Sequence, residues 1–250
     1  ESNNRLTQIT QYARQLAMQP ALINAASISA LDAVGLTEPD IVTLNQLVGF
    51  VSYQARVVAG LQAMMGLPVR WIPGVSPPAD ADTNMLTHQA EWQYALKPVE
   101  LRYASAEQLA AITFCQGIAD LDEAVWLLVH DAQALYGWAT LQQRLEDHFT
   151  DEAALAQAVS ARILGCTRQF NLRAGDQREA LLQDVDKAGE DTPLIHVSAQ
   201  LVRLPERFSA AHLQPLLNAG WGTERIFTLL QAVAFASWQD RLFMTLGEAR

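Results

Sequence analysis

The sequence has only two cysteines among its 250 residues, Cys115 and Cys166, and they lie far apart in the chain. This scarcity excludes a framework of disulfide bonds and favours a reducing compartment, such as the cytoplasm. No Cys-x-x-Cys pair and no cluster of cysteine and histidine at zinc-binding spacing occurs. The five histidines are scattered, and none has another histidine three or four positions away, as a metal site on a helix would need. We therefore predict neither a metal nor a cofactor.

Long apolar runs are also missing, since no stretch approaches the roughly 18 residues that a membrane span requires. Basic residues are outnumbered: 17 lysines and arginines stand against 27 aspartates and glutamates, for a net charge of −10. An acidic surface repels phosphate backbones, which argues against nucleic acid as a partner. The chain opens at Glu1 without a basic and then apolar leader, so no secretory signal is expected. The missing initial Met suggests that the natural protein extends upstream.

Alternating β-branched segments are scarce, whereas helical periodicity is plentiful, so an all-α fold is predicted. Apolar residues recur at spacings of three and four between Ile41 and Leu61. Thr37 followed by Asp40 is typical of a capped helix start, and Gly35 is well placed to end the helix before it.

The middle of the chain is also predicted to be helical. The segments 106–120 and 122–145 have the pattern of amphipathic helices. A further helix is predicted from Asp151, with Thr150 as its cap, and Gly165 interrupts its pattern just before Cys166.

Residues 67–81 break the helical pattern, because they contain four prolines and a glycine. Proline lacks the amide proton and clashes with the preceding helical turn. We therefore predict a loop here, and we place a linker at 67–100.

The strongest pattern is an internal repeat. A shift of 185 residues aligns 31–61 with 216–246 without a gap. Over positions 9–62 the alignment holds 17 identities in 54 positions, where chance gives about three. The identical pairs are not confined to helix-forming residues: Pro20/Pro205, Gly35/Gly220, Gln46/Gln231, Phe50/Phe235, Gln54/Gln239 and Arg56/Arg241. A related helical unit therefore occurs twice, at 9–66 and at 194–250.

The repeat predicts the organisation of the chain. Residues 101–193 have no counterpart before the first copy, so the first domain lacks its leading half, either trimmed away or cleaved. The alternative is that the first copy stands alone and packs directly on the second. We predict a partial first unit at 1–66, a proline-rich linker at 67–100 and a second domain at 101–250, with the related units packed about a pseudo-twofold axis.

Arg56 and Arg241 belong to a polar set that both copies keep in otherwise diverged helices. A structural role is predicted for them, either as a cap on a helix C-terminus or as a bridge to an acidic residue. The functional alternative places them in a subunit interface or a pocket.

The helix that leads into Gly165 and Cys166, together with the closing segment 219–248, resembles the alkylhydroperoxidase D and carboxymuconolactone decarboxylase superfamily. More closely, these segments resemble its fused, two-domain bacterial branch of peroxidase-related proteins. The resemblance covers 104–250, with 9–66 as a second copy of the domain's closing half. It implies an alkylhydroperoxidase D-like helical bundle, a closed homo-oligomer and an antioxidant type of oxidoreductase.

The active-site motif of that family is degenerate in this chain. Its peroxidases carry Cys-x-x-Cys-x-x-x-His at the start of a helix, with a glutamate twelve residues earlier. In them the histidine and the glutamate relay a proton from the attacking thiol, and the other cysteine closes a disulfide. The four positions here are Cys166, Gln169, Arg173 and Ala154. Arg173 stays charged and cannot act as a base, and Gln169 cannot form a disulfide.

Cys166 is therefore the candidate nucleophile. It has basic neighbours in the sequence, and a thiol beside cations ionises more readily. Its attack on a peroxide would give a sulfenic acid, which an external thiol would reduce. The structural alternative is a buried cysteine that acts as a small hydrophobe, as we predict for Cys115. The predicted supporting residues are near this thiol in the sequence or are candidates to approach it in space: Arg162, Gln169, Arg173 and His130.

Three functions stay open on the sequence alone. The first is a thiol-dependent, peroxidase-related oxidoreductase that uses Cys166, a peroxide or other small molecule and an external thiol. The second is a catalytically inactive descendant that binds a ligand or acts as an oligomeric interaction protein. The third is a lyase like carboxymuconolactone decarboxylase, which needs a histidine or an acid as general base. A cleft at Cys166 with an acid close by would favour catalysis, and apolar packing on all sides would favour the second function.

Overall fold

The computed structural model describes residues 2–70, 72–86 and 92–249, and helices dominate them, as the sequence predicts. The α-helices are α1 (Ser2–Met18), α2 (Ala25–Ala33), α3 (Glu38–Met64), α4 (Ala106–Phe114), α5 (Val125–Leu128), α6 (Ala132–Glu146), α7 (Asp151–Leu164), α8 (Thr167–Arg173), α9 (Arg178–Gln183), α10 (Val185–Asp191), α11 (Pro193–Arg203), α12 (Ala210–Asn218) and α13 (Thr223–Thr245). Short 3-10 turns are Pro20–Leu22, Thr83–Leu86, Leu101–Tyr103, Asp122–Ala124, Val129–Asp131, Gly175–Gln177 and Pro205–Arg207. The strands β1 (Trp92–Tyr94) and β2 (Gly247–Ala249) pair as a small antiparallel ribbon, in which Gln93 lies opposite Glu248.

Local signals at the start of the chain are confirmed. The backbone N–H of Thr37 donates to the Asp40 carboxylate at 2.9 Å, and α3 begins at the next residue. Gly35 ends the preceding helix with a φ of 83°, a left-handed conformation that glycine adopts without strain. Residues 67–70 and 72–81 form neither helix nor strand, in agreement with the loop predicted from their prolines.

The middle of the chain is more broken than its periodicity predicts. The predicted helix 106–120 ends at Phe114, and Gly117 then takes a left-handed φ of 91°. The predicted helix 122–145 is divided, because the Asp131 carboxylate accepts the backbone N–H of Ala134 at 3.0 Å and so starts α6. Thr150 precedes α7 as expected, but its side chain makes no capping hydrogen bond.

Contacts divide the described residues into two compact units. Unit 1 comprises the described residues within Glu1–Gly49, Ala90–Asp147 and Arg241–Arg250. Unit 2 comprises the described residues within Phe50–Gln89 and His148–Asp240. Helices α3 and α13 therefore contribute residues to both units. The domains predicted above follow sequence similarity rather than contacts, and they stay a prediction. No helix among the described residues is both long and apolar enough to cross a membrane.

Unit 1 contains a buried polar network around Asn45. The Tyr12 hydroxyl donates to the Asn45 side-chain oxygen at 3.1 Å, and the Thr245 hydroxyl donates to the same oxygen at 2.5 Å. The Asn45 amide in turn donates to the carbonyl of Ile41 at 2.8 Å. Burial raises the pKa of Tyr12 to about 12, so its hydroxyl remains a donor at neutral pH.

Unit 2 is organised around α7, which packs against α8 and α11. Every residue of α7 from Ala156 to Leu164 is buried. Many of these side chains are small, which lets neighbouring helices approach closely. The polar members of this buried stretch, Gln157 and Ser160, therefore lie in the interior of the unit rather than on its surface.

Elements related by the shift of 185 residues have matching bounds. The shift carries α2 onto α12, and it carries the turn Pro20–Leu22 onto Pro205–Arg207. Gly35 and Gly220 occupy equivalent positions and have φ values of 83° and 82°. The helices that follow them, α3 and α13, also begin at equivalent residues.

The two repeated arginines make equivalent contacts. In unit 1, Arg241 donates from Nε to the carbonyl of Leu16 at 3.0 Å and from Nη2 to that of Ala17 at 2.6 Å. In unit 2, Arg56 donates from Nη2 to the carbonyl of Val202 at 2.6 Å. The same shift relates positions 17 and 202, so each guanidinium caps the C-terminal end of a helix from the other copy. The structural role predicted for this pair is confirmed.

Candidate active site around Cys166

Cys166 lies at a sharp junction between α7 and α8. Gly165 ends α7 with a left-handed φ of 91°, and the backbone N–H groups of Gly165 and Cys166 both donate to the carbonyl of Ala161 at 2.8 Å. Cys166 is then the N-cap residue of α8, and its side chain makes no capping hydrogen bond. The thiol is thus fixed in place by the helix boundary that the sequence predicts.

The thiol has a carboxylate partner that the sequence analysis missed. Asp240 of α13 lies near enough to Cys166 for its negative charge to raise the pKa of the thiol. The hydroxyl of Ser160, on α7, donates to Oδ2 of the same carboxylate at 2.7 Å. Cys166, Ser160 and Asp240 are 2%, 0% and 1% exposed. The site is therefore a buried thiol and a buried hydroxyl that share one acid.

Electrostatics at this site differ from the expectation of a thiol activated by cations. Burial and the negative charge of Asp240 raise the pKa of Cys166 well above its usual range. The Gln169 backbone N–H and the positive charge of Arg168 act in the opposite direction, but they are outweighed. The thiol is therefore protonated at neutral pH.

The predicted supporting residues divide into near and distant groups. Gln169 is buried in the first turn of α8, which Cys166 precedes. Arg162 instead donates to the carbonyl of Leu181 at 2.9 Å and to that of Ala81 at 2.8 Å, and burial lowers its pKa. It thus binds backbone carbonyls, and it is not among the charges that shift the pKa of Cys166.

The other two predicted residues have different surroundings. Arg173 is the last residue of α8 and is partly buried. His130 belongs to unit 1, where its Nε2 lies 2.8 Å from the carbonyl oxygen of Lys97. Cys115 also belongs to unit 1; it is buried, and burial raises its pKa to about 11.

A signal for Asp240 was present in the repeat. Asp240 is equivalent to Ala55, which is exposed on α3, whereas Asp240 is buried on α13. The flanking polar residues are the same in both copies, Gln54 and Arg56 in one and Gln239 and Arg241 in the other. A carboxylate that appears in only one copy, between two residues that both copies keep, marks a position where the copies differ in chemistry.

A second feature of unit 2 is a surface cavity of about 380 Å³. Its lining includes His148, Thr150 and Trp221. The Arg225 guanidinium lies 3.8 Å from the centre of the Trp221 ring and forms an ion pair with Glu152. Among the described residues, no group of three or more histidine, cysteine or acidic side chains is arranged to hold a metal ion.

Comparison of the chain with protein-family models, with curated proteins and with solved structures found no match. The function is therefore argued from the site itself.

Proposed function

We propose that the chain is a fused, two-copy member of the alkylhydroperoxidase D and carboxymuconolactone decarboxylase superfamily. The gapless repeat and the matching bounds of α2 and α12 support a duplication. The equivalent contacts of Arg56 and Arg241 support it independently, because they relate polar groups rather than helical propensity. The junction of Gly165 and Cys166, which follows the buried end of α7, supports the assignment to this superfamily.

Within that assignment, we infer a peroxidase-related oxidoreductase whose reactive thiol is Cys166. The observation that carries this inference is the buried carboxylate of Asp240, which accepts the hydroxyl of Ser160 and whose negative charge acts on the buried thiol. Asp240 would supply the proton acceptor that the missing histidine and glutamate supply in the family's peroxidases. The compartment we propose is the reducing cytoplasm.

The raised pKa of Cys166 is compatible with this chemistry, because the carboxylate of Asp240 would accept the proton of the thiol. Ionising the thiol alone would bury a second negative charge beside Asp240, which is costly. The site has one negative charge both before and after the proton moves from the sulfur to the carboxylate. A thiolate would therefore form transiently without a change in net charge.

The reaction is balanced within the site and its co-substrates. The sulfur attacks one oxygen of the peroxide, the S–O bond forms and the O–O bond breaks. The proton held by Asp240 passes to the leaving oxygen, which departs as water or an alcohol. Cys166 becomes a sulfenic acid, and an external thiol reduces it through a mixed disulfide. No second cysteine is needed, in keeping with Gln169 in place of the second cysteine of the family's motif.

Replacement of Cys166 by serine is expected to abolish peroxide consumption. Serine keeps the shape of the side chain, but it has no sulfur to form the S–O bond. The measurement is loss of hydrogen peroxide at neutral pH with dithiothreitol as reductant. Cys115→Ser is the matched control, since Cys115 is also buried but has no carboxylate bonded to its thiol in the described structure, and it should consume peroxide as the unaltered chain does. Equal activity in Cys166→Ser and the unaltered chain would rule the mechanism out.

A second candidate function is a non-catalytic interaction protein that assembles as a homo-oligomer. The observation that favours it is an exposed apolar face on the part of α3 that belongs to unit 2. Val51 and Val58 are 52% and 51% exposed, and Met65, just beyond the helix, is 70% exposed. Between Asp40 and Arg70 the only charged residue is Arg56, which is buried, so this face has no charge. Uncharged apolar faces of this kind are characteristic of protein interfaces.

The repeat shows how the same face is used in the second copy. The equivalent residues on α13 and just after it are buried: Ala236, Asp240, Phe243 and Leu246 are the counterparts of Val51, Ala55, Val58 and Leu61. The exposed face of α3 therefore occupies positions that are buried in the other copy of the repeat. A second copy of the chain is a suitable partner, because an uncharged contact avoids repulsion between two chains that each have a net charge of −10.

Val58→Asp is expected to convert an oligomer of the chain into monomer, because burying an unpaired carboxylate at the centre of the face is costly. The measurement is sedimentation velocity across a range of protein concentrations. Gln143→Asp adds the same charge at an exposed position on α6, and it should sediment like the unaltered chain. An unaltered chain that is monomeric at all concentrations, or an oligomer that Val58→Asp leaves intact, would exclude this face as the interface.

A further inference from the structure

We propose that the surface cavity of unit 2 binds a small organic monocarboxylate, with the carboxylate at the start of α7 and the start of α13. The described lining residues come from 148–153 and 221–229, all of them in unit 2. The cavity is therefore a site separate from Cys166, and binding there does not depend on whether the thiol reacts with peroxide.

Unit 1 shows how an acid completes a similar arrangement of helices. The hydroxyl of Thr43, in the second turn of α3, donates to the carboxylate of Asp131 at 2.7 Å. The other oxygen of that carboxylate accepts the backbone N–H of Ala134 at 3.0 Å and so caps α6. A threonine of one helix and the N-terminus of another helix thus share a single carboxylate.

Unit 2 has the equivalent threonine at the cavity. Thr228 is related to Thr43 by the shift of 185 residues, and it lines the cavity together with the start of α7. The N-cap residue of α7, Thr150, makes no side-chain capping hydrogen bond. Glu152 lies in the first turn of α7, but both of its carboxylate oxygens accept from Arg225. A carboxylate from outside the chain would therefore complete the arrangement that unit 1 completes with its own acid.

The start of α13 has lost an acid relative to the first copy. In that copy the carboxylate of Asp40 accepts both the backbone N–H and the hydroxyl of Thr37 at 2.9 Å, just before α3. The equivalent residues are Arg225 and Gly222, and both line the cavity. Arginine has no acceptor and glycine has no side chain, so neither replaces that carboxylate. Two helix N-termini thus meet at one cavity, and backbone N–H groups at such ends bind anions well.

The rest of the lining indicates an apolar body for the ligand. Ala153 and Leu229 are buried and line the cavity, as does the half-buried ring of Trp221. The volume of about 380 Å³ is near the lower end of the range of ligand pockets, roughly 300–1,000 Å³. We therefore expect a carboxylate with a compact, flat body, such as an aryl carboxylate.

One acid in the lining acts against an anionic ligand. The charge of Glu152 is neutralised by its ion pair with Arg225, whereas Glu224 is exposed and lines the cavity. Solvent and salt screen the charge of Glu224, so it weakens binding of an anion without preventing it. Glu224→Gln is therefore expected to tighten binding of a carboxylate about threefold.

The test uses the whole chain and 4-fluorobenzoate, whose fluorine NMR linewidth is followed in a titration at millimolar concentrations. 4-Fluorobenzamide has the same shape without the charge, and it is expected to bind at least about tenfold more weakly. Inorganic phosphate, an anion without an apolar body, is also expected to compete at least about tenfold more weakly. Thr228→Val removes the hydroxyl and keeps the shape, and it should weaken binding of 4-fluorobenzoate about tenfold. Thr43→Val is the matched control in unit 1 and should bind like the unaltered chain.

The expected results together support a carboxylate site in this cavity. No binding of 4-fluorobenzoate to the folded, unaltered chain overturns the proposal. Equal binding of the benzamide overturns the role of the carboxylate, and equal competition by phosphate overturns the apolar body. Thr228→Val and Thr43→Val proteins that are folded by circular dichroism and bind equally well overturn the location. Glu224→Gln is an exposed change that keeps the fold, and weaker binding of 4-fluorobenzoate to it also overturns the site.

Discussion

Replacing Arg241 with alanine is expected to lower the free energy of unfolding by about 3 kcal/mol. The Arg241 side chain is 1% exposed, and its guanidinium donates to the carbonyls of Leu16 and Ala17 at the end of α1. Without it, these carbonyls lose charged donors, and a large buried side chain leaves a void. The measurement is urea unfolding followed by circular dichroism.

Three further variants separate the causes of that loss. Arg241→Met keeps most of the side-chain volume but none of the hydrogen-bond donors. It should therefore restore only the part of the unfolding free energy that comes from packing. Arg56→Ala should cost less than Arg241→Ala, because a single contact of Arg56 with the other copy, to Val202, is seen. Arg70→Ala removes an exposed arginine and should change stability by less than about 0.5 kcal/mol. Equal stability of Arg241→Ala and Arg70→Ala would show that the cap contributes nothing.

Asp240→Asn is expected to slow oxidation of Cys166 by peroxide about 100-fold, while it lowers the pKa of that thiol. The asparagine oxygen still accepts the hydroxyl of Ser160, so the local packing is kept. Its neutral amide no longer raises the pKa of the thiol by charge, and it also no longer takes the thiol proton. The measurement is the pH dependence of two rates, oxidation by hydrogen peroxide and alkylation by iodoacetamide, in a Cys115→Ala background.

The opposite directions of these two effects distinguish the roles of Asp240. If the carboxylate merely suppresses ionisation of the thiol, Asp240→Asn will speed both reactions in parallel. If it accepts the proton, alkylation will begin at lower pH while peroxide oxidation becomes slower. Ser160→Ala is the matched control, because it removes one donor to Asp240 without removing the acceptor, and its effect on oxidation should be much smaller than that of Asp240→Asn.

Features that depend on neighbouring residues could be predicted from the sequence. The start of α3 follows from Thr37 and Asp40, and the end of α2 follows from Gly35, because a cap or a left-handed residue acts within a few positions. The all-α class follows from periodicity for the same reason. The division of 122–145 was missed because the cap formed by Asp131 outweighs a continuous apolar pattern.

The candidate site depended on contacts that no local pattern contains. Cys166 lies just before α8 and Asp240 lies on α13, so four further helices, α9 to α12, separate α8 from the acid in the sequence and no local pattern relates the two residues. Charge near Cys166 in the sequence suggested a thiolate, but Arg162 is directed to the carbonyls of Leu181 and Ala81 instead. Burial then reverses the expected direction of the pKa shift. Only the change from Ala55 to Asp240 between the copies signals the acid in advance.

The central claim is that Cys166 reacts with peroxide while the protein is folded. The most direct measurement exposes the folded Cys115→Ala protein to hydrogen peroxide at neutral pH and follows the mass of the peptide that contains Cys166. We expect oxidation of Cys166 in the folded protein, and we expect it to be reversed by dithiothreitol once the product is a sulfenic acid or its mixed disulfide. A thiol that stays unmodified until denaturant unfolds the chain would contradict the account, and it would favour the interaction protein instead.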